Sequence, residues 1–126
     1  MVARVLVVDN DRNTRELVSL HLRNAGYEVD VAEDAIAAGY RILRARPDLI
    51  ISQINLPPVH GFDLMRALRQ DGSVSDIPVI FLTAQAAAES DGKELGPARC
   101  LAKPVTADTL LSIVAAHVDG GLIPIG

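Results

Sequence analysis

The sequence predicts an α/β fold: a doubly wound, five-stranded parallel sheet with helices on both faces and strand order 2-1-3-4-5. Three observations predict it. Short apolar runs rich in Val, Ile and Leu alternate with longer segments of helical period, and Gly, Pro, Asp or Asn punctuates the junctions. Each crossover between parallel strands must be right-handed and must cover the strands it links, so such alternation places helices on both faces. The chain's 126 residues hold five strand–helix units, whereas an eight-unit barrel needs about twice that length.

The first strand is expected over Ala3 to Val8, nearly all apolar, as suits a strand buried on both faces. Leu17, Leu20, Leu22 and Ala25 then recur near helical spacing and stop at Gly26, a residue suited to a left-handed cap. Glu28 to Ala32 alternates polar and apolar like an edge strand, with Val29 and Val31 on one face. Asp34 can cap the second helix, which is expected to carry Ile36, Tyr40 and Leu43 inward and to end before Pro47. Asp48 to Ile54 returns to a buried strand, and Pro57-Pro58 with Gly61 forces a loop. A third helix over Phe62 to Arg69 has Phe62, Met65 and Leu68 on one side and closes at Asp71-Gly72. Pro78 to Leu82 is the fourth strand. Ala86 to Leu95 is a weak fourth helix, favoured by its alanines and interrupted at Ser90, Asp91 and Gly92. Cys100 to Ala102 forms a short fifth strand, and Thr106 can cap a last helix carrying Leu110, Ile113, Val114 and His117 or Val118. The domain is expected over residues 1–119, with 120–126 as a tail or linker stub whose apolar Leu122 to Ile125 could dock on a neighbour.

Composition narrows the function. With 49% apolar and 22% charged residues the chain buries a core and is not disordered. A net charge of -4, scattered bases and no Trp argue against direct binding of nucleic acid or an anionic membrane. Apolar runs such as Val5 to Val8 and Val79 to Leu82 fall far short of the ~18 residues of a membrane span. Met1 to Arg4 lacks a signal-peptide pattern and Cys100 is the lone cysteine, so the expected compartment is the cytoplasm. No Walker or dinucleotide glycine pattern is present, and Asp9 and Asp11 would repel a flavin phosphate. No cofactor and no enzymatic activity are expected.

An open sheet of this kind places its crevice at the carboxyl ends of the strands, where the order reverses. Those positions hold Asp9-Asn10-Asp11, Gln53 to Asn55, Thr83-Ala84 and Lys103-Pro104. From Val5 to about Val118 the chain resembles the receiver domain of two-component response regulators. The resemblance rests on Val-Leu-Val-Val-Asp at 5–9, Pro-Asp-Leu-Ile-Ile at 47–51, and Leu56-Pro57 followed by Gly61-Phe62. It continues through Pro78-Val79-Ile80 leading to Thr83-Ala84, and Lys103-Pro104, all in order at receiver-like spacing. It implies a flavodoxin-like fold and a place in phosphorelay signalling. In that family two acidic residues after the first strand help hold magnesium, and an aspartate ending the third strand takes a phosphoryl group from a kinase histidine. A hydroxyl after the fourth strand and a lysine after the fifth bind that group, and an aromatic in the fifth strand often changes rotamer in response. Carried across, the acidic pair falls on Asp9 and Asn10, the acceptor on Gln53, the hydroxyl on Thr83, the ammonium on Lys103 and the switch position on Cys100.

Three of these positions depart from the family pattern. An acyl phosphate forms when a charged carboxylate oxygen attacks phosphorus, and the amide of Gln53 is neutral, delocalised and one methylene longer. Asp9 and Lys103 are the surviving charges, and they sum to zero. Lys103 is therefore expected to lean toward Asp9, with Gln53 and Asn10 supplying neutral hydrogen bonds and no metal bound. Asp11 is expected to cap the following helix rather than to replace a metal ligand. Cys100 is too small to act as an aromatic switch. His60 lies near the crevice, whereas His21 and His117 read as surface or boundary residues.

The expected function is a degenerate, phosphorylation-independent receiver that binds a protein partner: a kinase, an output domain or another signalling protein. The face of the fourth and last helices is the expected place for a homodimer. One alternative is a receiver that signals through a non-standard phosphosite or by binding a small anion at Lys103 and Thr83. Another, of a different class, is a flavodoxin-like cofactor-binding protein or enzyme.

Overall fold

The structure, a computed structural model, describes residues 2–56, 59–72, 74, 76–83, 99–103 and 105–118. Strands β1 (Arg4–Val8), β2 (Glu28–Ala32), β3 (Leu49–Gln53), β6 (Val79–Thr83) and β7 (Arg99–Ala102) form a parallel sheet in the order β2-β1-β3-β6-β7. Helices α1 (Arg12–Asn24), α2 (Ala35–Arg44), α3 (Gly61–Gln70) and a C-terminal helix (Ala107–Val118) accompany it. The fold is the α/β class, with a parallel sheet, that the alternation of segments predicts.

Successive β1 residues point to opposite faces, and each face meets its own core. Leu6 and Val8 join Ala38, Ile42, Ile50, Leu68 and Phe81 on the α2–α3 side. Val5 and Val7 join Leu22, Leu49, Ile51, Leu110 and Val114 on the side of α1 and the C-terminal helix. This two-sided burial is why β1 has no polar alternation. Each large aliphatic side chain so buried contributes about 1.5–3 kcal/mol relative to exposure.

Helix ends follow local chemistry. Asp11 caps α1 by accepting from Asn13 N, and Asp34 caps α2 by accepting from Ala37 N at 2.8 Å. At the end of α1, Gly26 takes φ +97°, with Gly26 N donating to Arg23 O and Tyr27 N to Leu22 O. This paired closure satisfies carbonyls left open by the last turn, and its positive φ suits glycine.

Two expectations are corrected. On α2, Ile36, Tyr40 and Leu43 face outward, 65%, 68% and 83% exposed, while Ala38 and Ile42 are the buried residues. The helix carries two apolar stripes nearly opposite each other, and the small one lets it lie close over β1 and β2; hydrophobicity alone selects the large one. On α1, Leu22 of the apolar set at helical spacing is buried with Val18 and Ser19, while Leu17 and Leu20 of the same set are exposed. After β3, the expected loop contains an antiparallel pair, β4 (Asn55–Leu56) and β5 (Val59–His60), with Asn55 opposite His60. The expected helix at 86–95, the prolines at 57 and 58, and the tail at 120–126 lie outside the described residues.

Candidate functional site

Sheet register gathers the candidate residues. Gln53 ends β3 opposite Leu82, Thr83 ends β6 opposite Ala102, and Lys103 follows β7 directly. Asp9 follows β1, so four strand ends converge on one edge of the sheet. Cys100 pairs with Phe81 in register, three residues before Lys103 and away from that edge. His60 lies in β5, and His117 Nδ1 sits 2.8 Å from Ile113 O within the C-terminal helix.

Asp9 is the centre of the arrangement and is fully buried. Its backbone continues the sheet, with Asp9 N donating to Ala32 O at 3.1 Å, and its carbonyl accepts from Arg15 Nη1 at 2.7 Å. The carboxylate Oδ1 accepts from Asp11 N at 2.8 Å. Oδ2 lies 3.0 Å from Lys103 Nζ, whose side chain is 20% exposed. Among the described residues no donor is aligned on Oδ2 as a hydrogen bond, so this contact is an ion pair held by charge rather than by a directed N–H. A buried carboxylate without a counter-charge costs several kcal/mol, and the ammonium supplies that counter-charge.

The Gln53 amide joins two strand ends at the crevice. Gln53 Oε1 accepts from Asn10 N at 3.3 Å, tying the end of β3 to the loop after β1. Asn10 itself is exposed. Buried Ser52 turns its hydroxyl onto Gln53 O at 2.9 Å. Asp11 is the helix cap that the spacing suggests: Oδ1 accepts from Asn13 N at 3.2 Å and Oδ2 from the Thr14 hydroxyl at 2.7 Å. The Thr14 hydrogen bond does most to hold the Asp11 carboxyl below its ordinary range. Desolvation opposes this, while Asn13 N and the Lys103 charge reinforce it.

Magnesium, which the resemblance implies, prefers a near-octahedral oxygen set that usually includes one or two carboxylates. The residues present do not fit it. Asp9 Oδ2 faces an ammonium, both Asp11 oxygens are engaged in the cap, and Gln53 Oε1 is engaged by Asn10 N. Among the described residues, no group of three or more His, Cys, Asp or Glu side chains is placed to hold a metal ion.

Arg15 and Ser52 were not legible as site residues, because the first reaches back six positions to a carbonyl and the second lies under the sheet edge. Thr14 carries a usable signal: a hydroxyl three residues after a capping aspartate. Beside Lys103 a cavity of about 300 Å³ opens, lined by Asn13, Thr14, Leu17, Val18, Lys103 and Val105.

Comparison with known proteins agrees with this geometry. The response regulator receiver domain model matches residues 5–115. The chain is 37% identical over 115 residues to the DNA-binding dual master transcriptional regulator RpaA of Synechocystis, covering 90% of this chain and 48% of RpaA. It is 38% identical over 108 residues to the sensor protein EvgS of Escherichia coli O157:H7, covering 84% of this chain and 9% of EvgS. It therefore spans about half or less of the length of these relatives. Among solved structures it superposes on the chemotaxis response regulator CheY4 of Vibrio cholerae with TM-score 0.83 and 36% identity, covering 90% of this chain and 97% of CheY4. With the strand order, the sheet-edge crevice and a family match over most of its length, the chain belongs to the response regulator receiver domain family.

Proposed function

We propose that this receiver works in two-component signalling with its covalent switch disabled, acting through contacts with a protein partner. The observation that carries this reading is the crevice chemistry: an amide ends β3, and Lys103 is paired with Asp9 at 3.0 Å. Phosphorylation at this position would require Gln53 to attack phosphorus, breaking the donor's bond to phosphorus and forming a new one to an amide oxygen or nitrogen. That group is uncharged, and its electrons are delocalised into the amide. The same ion pair weighs against an anion at Lys103, because binding one would expose the buried Asp9 charge.

Several features support a protein partner. The net charge of -4 disfavours direct nucleic-acid contact, and the DNA binding named for RpaA belongs to a chain about twice as long. Leu17 and Leu20 lie outward on α1, and Leu17 borders the cavity beside Lys103. A kinase, output domain or other signalling protein approaching from this side could read the crevice without chemistry. Cys100 offers no aromatic rotamer, so its β7 position contributes backbone pairing rather than a switch. The expected homodimer face involves the segment at 86–95, outside the described residues. No helix among the described residues is long and apolar enough to cross a membrane; a cytoplasmic site is the matching reading.

The test is incubation with a small phosphodonor and magnesium, followed by intact-mass analysis. No phosphoryl adduct is expected. An acid-labile adduct mapping to this crevice would overturn the reading, and one mapping elsewhere would assign signalling to a non-standard phosphosite.

A further inference from the structure

The outward stripe of α2 is unusual for a helix in a small domain. Ile36, Tyr40 and Leu43, at i, i+4 and i+7, form one face. This face borders an apolar groove of about 630 Å³ between α2 and α3, floored by Gly39, Ile42, Leu64, Leu68 and Val74. Contiguous exposed apolar surface of this kind marks an interaction site.

Charge placement indicates what covers it. Exposed Glu33 precedes the N-terminus of α2, and exposed Arg44 ends its last turn. Neither takes part in a hydrogen bond or ion pair among the described residues. In sequence, the midpoint of Glu33 and Arg44 lies one residue from the midpoint of Ile36 and Leu43. A second α2 laid antiparallel about that point brings Glu33 of each copy to Arg44 of the other. Ile36 then meets Leu43 twice, and the two helix dipoles oppose favourably. A parallel arrangement would instead set Glu33 beside Glu33 and Arg44 beside Arg44.

We propose that the α2 face is a self-association surface, in which two copies of this chain pair antiparallel, each apolar stripe seated against the partner's α2–α3 groove. Gly39 allows the close approach: a Cβ there would meet nothing within 4 Å in the single chain, so its absence leaves room for a partner. One helix face per copy buries less than the ~1,200 Å² of a standard interface, so the dimer is weak and concentration-dependent. The proposal is independent of whether Gln53 accepts phosphate.

The experiment is sedimentation velocity of the 126-residue chain from about 5 to about 500 µM, the range in which a micromolar dimer dissociates. The expected result is a monomer–dimer shift across this range, lost in Leu43→Asp. Either single reversal, Glu33→Arg or Arg44→Glu, should weaken association several-fold, and the two combined should restore it. Gly39→Ala, whose Cβ would meet nothing within 4 Å in the single chain, should weaken association while circular dichroism shows the fold intact. A chain that stays monomeric throughout refutes the proposal and leaves the face to another partner. A dimer unaffected by Leu43→Asp, or one not restored by the double reversal, refutes it equally.

Discussion

Replacing Lys103 with methionine removes the counter-charge of Asp9 while keeping most of the side chain's volume. Asp9 is fully buried, and among the described residues its Oδ2 has no aligned donor to take over. Deleting one member of a buried pair costs about 3–5 kcal/mol. Lys103 retains 20% of its side-chain exposure, so water screens part of the loss, and about 2 kcal/mol is expected. With a urea slope of about 1.5 kcal/mol/M, the unfolding midpoint should fall by about 1.3 M. Asp9→Asn combined with Lys103→Met removes both charges and should recover about 1.5 kcal/mol relative to the sum of the single changes. Urea unfolding followed by circular dichroism, on all four proteins at one ionic strength, measures this. A midpoint shift below ~0.3 M for Lys103→Met, or single effects that simply add, would refute the claim that the pair balances the crevice.

Asn10→Asp with Gln53→Asp should create measurable magnesium binding by calorimetry where the parent shows none; equal heats for both proteins would contradict the reading of the pocket. Asp11→Ala should lower the urea midpoint at neutral pH by removing the α1 cap. Because the folded Asp11 carboxyl titrates below its unfolded value, its contribution is present above the ordinary aspartate range and is lost as pH falls through the folded value. The gap between parent and Asp11→Ala should therefore close on acidification, and a gap that widens would contradict the assignment. On α2, Ile42→Ala should cost about 2–5 kcal/mol while Leu43→Ala stays within about 0.5 kcal/mol, both read by urea unfolding at low protein concentration. Reversed costs would mean that the helix sits in the other phase, and equal costs would contradict this assignment.

Much of the site could be read along the chain because its residues lie immediately after strands. Wherever an apolar run ends in such a sheet, the next side chain reaches the crevice; this brings Asp9, Gln53 and Lys103 to one edge. Opposite charges left there with few carboxylates predict an ion pair, and Lys103 lies against Asp9. Arg15 and Ser52 were not readable in this way. Their partners are backbone carbonyls, and any residue type offers the same carbonyl.

Local pattern specifies the order and kind of the elements, because strand and helix periods and the caps at Asp11, Asp34 and Gly26 act over a few residues. Helix rotation is different in kind. Each of α1 and α2 has more apolar positions than one face can bury, and local pattern ranks them only by size. The sheet ranks them by fit: Ala38 passes where Tyr40 would hold α2 away from β1 and β2, so the larger stripe is left to solvent. That choice belongs to residues distant in sequence, and it is made only when the layers close.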